Sequence, residues 1–90
     1  MAAEPTDCGA EPVNAEVAIR AHMQTAFKDP ESARYRFVGP PKKYFNGLRC
    51  IYQIEAFVNA KNSYGAYVGE RRVTFFLRDG VALGHREHER

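Results

Sequence analysis

The residues able to do chemistry fall into three groups. Cys8 and Cys50 are the two cysteines, and His22, His85 and His88 are the three histidines. The third group lies in Asn59-Ala60-Lys61-Asn62-Ser63-Tyr64-Gly65-Ala66-Tyr67-Val68-Gly69, which places two Asn, two Tyr and two Gly in eleven residues. A turn needs only one or two such residues for its backbone, so this segment is richer than its geometry requires.

Each group has a plain chemical reading. Nucleophilic catalysis needs a nucleophile beside an oriented base. Cys8 and His22 both lie near the first helical segment, but nothing in the sequence orients them as a pair. His85-Arg86-Glu87-His88 has metal-ligand spacing on a helix, yet two ligands in a charged tail make no defined site. Glu55 sits in a strand interior with Arg72 as its expected ion-pair partner. No Gly-x-Gly-x-x-Gly, P-loop or Cys-x-x-Cys occurs, and nothing implies a cofactor or a metal. The expectation is a protein that is not an enzyme. Its candidate binding surface is Asn62, Tyr64 and Tyr67, with Arg71 and Arg72 supplying charge, because Tyr and Arg are common interface anchors.

Ninety residues with 44% hydrophobic content make one domain with a modest core. The net charge of +2 comes from short basic pairs, Lys42-Lys43 and Arg71-Arg72, set among scattered acids. Nucleic-acid binders carry a denser basic stripe, so no nucleic-acid partner is expected. No apolar run approaches the ~20 residues of a transmembrane helix, and no signal-peptide core is present. Two readings of the cysteines stay open on composition: one bridge, or a free thiol and a small buried apolar residue. A bridge closing so long a loop would stabilise the fold by about 4 kcal/mol.

The elements that must position these residues read as follows. Residues 1–12 form a flexible lead-in, 13–84 a single α+β domain, and 85–90 a charged, frayed tail. A helix is predicted over residues 14–28, with Asn14 as N-cap and Ala15, Ile19, His22, Met23, Ala26 and Phe27 on one face. Asp29-Pro30 stops it, and Pro30 opens one further turn. Arg34 to Val38 alternate as a short strand that Gly39-Pro40-Pro41 ends, and Asn46-Gly47 is a turn signal. Two long strands follow, Leu48 to Ala60 and Ala66 to Arg78. After the Asp79-Gly80 turn comes Val81-Ala82-Leu83.

A tight turn at Ser63-Tyr64 would set Ile54 opposite Val73, Tyr52 opposite Phe75 and Cys50 opposite Leu77. On the reverse side it would set Glu55 opposite Arg72, Gln53 opposite Thr74 and Ile51 opposite Phe76. The more apolar Cys50/Tyr52/Ile54 side should take the helix. The result is one N-terminal amphipathic helix packed on an antiparallel sheet of about four strands. Ile51, Phe76 and Leu83 remain as a smaller apolar cluster on the other face, a candidate homodimer surface.

Two segments carry a resemblance. Asp29-Pro30-Glu31-Ser32-Ala33-x-Tyr35-x-Phe37 and Val58 to Gly69 are similar to an Asp-Pro-x-Ser-Ala element and an Asn-Ala-Lys-Asn-Ser-Tyr-Gly-Gly-Tyr motif. Both belong to a family of small proteobacterial secreted proteins and lipoproteins. Phe75-Phe76-Leu77-Arg78-Asp79-Gly80 resembles the family's aromatic strand with Arg-x-Gly, and the likeness spans roughly residues 13–83. Ala66 stands where the family has a second Gly, and Cys8 lacks a lipobox context. The resemblance implies a periplasmic or secreted location and a non-catalytic module binding an envelope protein or component. It implies no reaction. Export also favours a Cys8–Cys50 disulfide. The rivals are a small hydrolase or transferase, and a structural dimer through Ile51, Phe76 and Leu83.

Overall fold

The computed structural model describes residues 8–45 and 47–88. Asn46, and with it the full Asn46-Gly47 turn, lies outside the described residues. The helix α1 (Ala15–His22) is followed by a 3-10 turn, Met23–Thr25, and a second one at Pro30–Ser32. Four strands follow: β1 (Arg34–Phe45), β2 (Cys50–Asn59), β3 (Arg71–Arg78) and β4 (Val81–Glu87). They form one antiparallel meander in the order β1-β2-β3-β4. The protein is α+β, with its helix on one face of the sheet.

Local chemistry explains the helix start. The Asn14 side chain accepts a hydrogen bond from the Val17 N–H, and Glu16 in the first turn bridges to Arg20 at 2.8 Å. The α-helix is shorter than the predicted 14–28. From Met23 the chain tightens, with the Ala26 N–H on the Met23 carbonyl at 3.0 Å. Met23 is buried there, and Phe27 packs against the core.

The core lies where alternation placed it. Ile54, Ala56 and Val58 of β2 and Val73, Phe75 and Leu77 of β3 cluster with Ile19 and Met23 of the helical segment. Tyr35 and Phe37 flank it from β1. Cys8, Cys50 and Tyr52 make a second small cluster, and Cys8 and Cys50 form a disulfide. The chain is therefore anchored as early as Cys8, inside the expected lead-in. The Ala10 N–H also bonds the Asp79 carboxylate at 3.1 Å.

Three details differ from expectation. First, β1 does not stop at Gly39-Pro40-Pro41. It runs to Phe45 with a register break between Val38 and Lys42. An edge strand tolerates prolines at a bulge, because one side of its backbone has no ladder to supply. Second, the β2–β3 register is shifted by two residues. Ile54 faces Phe75 and Tyr52 faces Leu77. A shift of two keeps every side chain on its predicted face, because side chains alternate with period two. Glu55 faces Thr74, yet Arg72 reaches it diagonally through two bonds of 2.9 Å.

Third, residues 84–87 are strand rather than frayed tail. Phe75 pairs with His85 and Val73 with Glu87. The Asp79-Gly80 turn has positive φ at both residues (53° and 79°), as a tight hairpin turn of this type demands. It fixes Leu77 opposite Ala82. A bulge at Leu83 then brings Gly84, not Leu83, opposite Phe76.

Candidate functional site

The connection between β2 and β3 is residues 60–70, and its backbone is held from several sides. The Asn62 side-chain oxygen accepts from the N–H groups of Tyr64 (2.9 Å) and Ala66 (3.2 Å). The Gly65 N–H bonds the Asn62 carbonyl at 3.0 Å, closing a turn around Ser63 and Tyr64 in which Gly65 takes φ +80°. The turn closes through Asn62 N–H to the Ala66 carbonyl and a Lys61–Tyr67 bridge. It therefore holds Ser63, Tyr64 and Gly65, one residue more than the two-residue hairpin expected. The Asn59 side chain secures Gly69 at 3.1 Å.

Ser32 ties this loop to the rest of the molecule. Its hydroxyl accepts from the Lys61 N–H at 3.0 Å and donates to the Asp29 carbonyl at 2.7 Å. Its carbonyl accepts from the Tyr67 hydroxyl at 3.0 Å. The two segments singled out in the sequence, Asp29–Ala33 and Asn59–Gly69, are thus one structural unit. Nothing in the sequence pattern alone disclosed that pairing.

The five expected binding residues do not converge. Tyr64 stands at the loop tip, 92% exposed. Tyr67 folds back under the Arg34 guanidinium, 4.4 Å from its ring, and is held by Ser32. Asn62 shapes the turn. Arg71 lies on the helix-packed side and bonds Glu87 at 2.8 Å. Arg72 projects from the opposite face, where Glu55 holds it, so it does not join the loop surface. The hydrogen-bonded Arg72 guanidinium keeps the Glu55 carboxyl below the usual range.

A cleft of about 370 Å³ opens beside the loop. Met23, Phe27, Val58 and Val73 line it from the helical end and the sheet. Lys28, Lys61, Asn62 and Arg71 add polar groups, and His85 and Glu87 come from β4. Sequence reasoning missed Lys28, His85 and Glu87. The only signal was the alternation of Val81–Glu87, which the high charge of the segment obscured.

His85 also reaches α1, where its Nδ1 lies 2.9 Å from the Nε2 of His22. Burial first, and the neighbouring imidazole second, hold His22 below its ordinary value. A depressed histidine binds protons more weakly folded than unfolded, so its contribution is complete above the ordinary value near 6.5 and lost as pH falls through the folded value. Thermal midpoints should decline between pH 7.5 and 5, and His22→Gln should flatten that decline. An unchanged slope in His22→Gln would assign the effect to other groups. Glu55 and Glu70, both held down by arginine partners, act only at more acid pH.

Among the described residues, no cluster of three or more His, Cys, Asp or Glu could hold a metal, and no helix is long and apolar enough to cross a membrane. Cys8 is bound to Cys50, so the conceivable Cys8/His22 pair has no free thiol. Comparison with family models, with curated proteins and with solved structures returned no match.

Proposed function

We propose that the protein is a non-catalytic envelope module, periplasmic or secreted, that binds an envelope protein or component through its 60–69 loop and the adjoining cleft. The observation that carries this reading is Tyr64. It is almost fully exposed on a turn whose backbone is fixed by Asn62, Asn59 and Ser32. A large exposed aromatic on a preorganised loop offers contact area at a low ordering penalty. The disulfide is consistent with an oxidising compartment, as the family resemblance implies. The basic residues of the open sheet face favour no nucleic-acid role, since Arg36 pairs with Glu70 and Arg72 with Glu55.

Photocrosslinking tests the reading. A benzophenone side chain is placed at position 64 and, as a control, at Val81, which is also exposed. In envelope extract, position 64 should give a discrete adduct and position 81 none. Equal labelling from both positions, or none from 64, would remove the proposal.

A second reading is a homodimer through the open face. Ile51, expected on this surface, is already covered at 3% exposure, so the contact would be made by Tyr44, which packs on Phe76 at 5.4 Å, and by Leu83 across the groove between them. Leu83→Lys should then abolish any concentration dependence in sedimentation.

A further inference from the structure

We propose that the cleft beside the loop takes a single-chain amphiphile with a carboxylate head, a free fatty acid of medium chain length; this rests on the loop wall being a binding surface. Three observations lead there.

The first is the contrast between floor and rim. Met23, Val58 and Val73 are buried side chains at the inner surface, and Phe27 and Val68 extend the apolar lining outward. A site of this size with apolar walls and a few polar groups is typical of a small-molecule pocket. The second is charge. Lys28, Lys61 and Arg71 line the cleft against one carboxylate, Glu87, and Glu87 is bonded to Arg71. Among the described residues, every ion pair uses an arginine, and Lys28 and Lys61 have no carboxylate partner. The Lys61 ammonium instead sits 5.5 Å over the Tyr67 ring. An anionic head would meet two cations that no carboxylate neutralises.

The third observation favours an alkyl chain over a peptide. Recognition of an extended peptide by strand addition needs main-chain donors and acceptors along the groove. The loop wall's N–H groups at Lys61, Asn62 and Gly69 are already engaged, by Ser32, Ala66 and Asn59. The Asn62 side-chain oxygen is engaged as well. A ligand whose only polar group is its head leaves no amide of its own unpaired in such a groove.

Titration calorimetry with decanoate, below its aggregation concentration, tests the proposal on the intact disulfide-bonded chain. Decanoate should bind with one-to-one stoichiometry, and uncharged decanol at least tenfold more weakly. The double variant Lys28→Glu/Lys61→Glu should weaken decanoate at least tenfold while the protein stays folded, its melting midpoint moving only by the few degrees that loss of the Lys61–Tyr67 ring contact costs. Three results would overturn the proposal. They are decanol binding as well as decanoate, decyl phosphate binding where decanoate does not, and no saturable binding of any of the three. Absence of decanoate binding beside an intact position-64 crosslink would reject the ligand class and leave the loop reading standing. Decanoate binding without that crosslink would reject the loop tip and keep the cleft.

Discussion

Phe75→Ala is expected to lower the unfolding free energy by about 3–5 kcal/mol, among the largest effects of any single substitution in this chain. Phe75 is 0% exposed at the centre of β3. It faces Ile54 across the ladder and lies 6.3 Å from the Tyr35 ring and 6.0 Å from His85. Truncation removes an aromatic that Ile19 and Met23 cover from the helical side, and leaves a cavity the rigid sheet closes poorly. Phe76→Ala is the matched control, because Phe76 is only half-buried on the open face. It should lose distinctly less in chemical melts. A loss below about 1 kcal/mol for Phe75→Ala would mean that the helix does not cover this face.

Breaking the disulfide is the second large effect. Cys8 and Cys50 are 42 residues apart in sequence, and releasing such a loop raises the entropy of the unfolded chain by the equivalent of about 4 kcal/mol. That is a large share of the roughly 5–15 kcal/mol by which domains are stable. Reductant, or Cys8→Ala, should lower the Tm by on the order of 20 °C, given the usual slope for domains of this size. The loss should exceed what the small Cys8/Cys50/Tyr52 cluster would cost by packing alone. Intact protein should have a mass one pair of hydrogens below that of the reduced chain. Two freely alkylated thiols in native, oxidised protein would contradict the bridge.

Much of the architecture was legible because it rests on period-two alternation. Ile54 through Val58 and Val73 through Leu77 put alternate residues on the helix-covered face, with Cys50 and Tyr52 continuing it under Cys8, while Ile51 and Thr74 are buried on the other face as well. That division survives the two-residue register error, since only an odd shift would exchange the faces. The register itself was not legible. It depends on how the Asn62 turn closes over three residues and on how Ser32, 29 positions away, holds Lys61, and a hydrogen bond over that distance leaves no local pattern. The extension of β1 past two prolines and the strand character of His85 and Glu87 were hidden for a related reason. Both are edge strands, where propensity yields to what the neighbouring strand and helix offer. The candidate site divided likewise. Tyr64 stood out because a turn does not require it, whereas Arg72 looked like its neighbour Arg71 although adjacent strand residues point to opposite faces.

The recognition role of the loop turns on Tyr64→Ala, followed by thermal melting and by capture of the species crosslinked from position 64. Tyr64 has almost no buried surface, so the Tm should stay within about 1 °C of the parent protein. Capture per folded molecule should be lost. A Tm lowered by many degrees, with capture falling only in proportion to unfolding, would show that Tyr64 serves the fold and would contradict its role as a binding anchor.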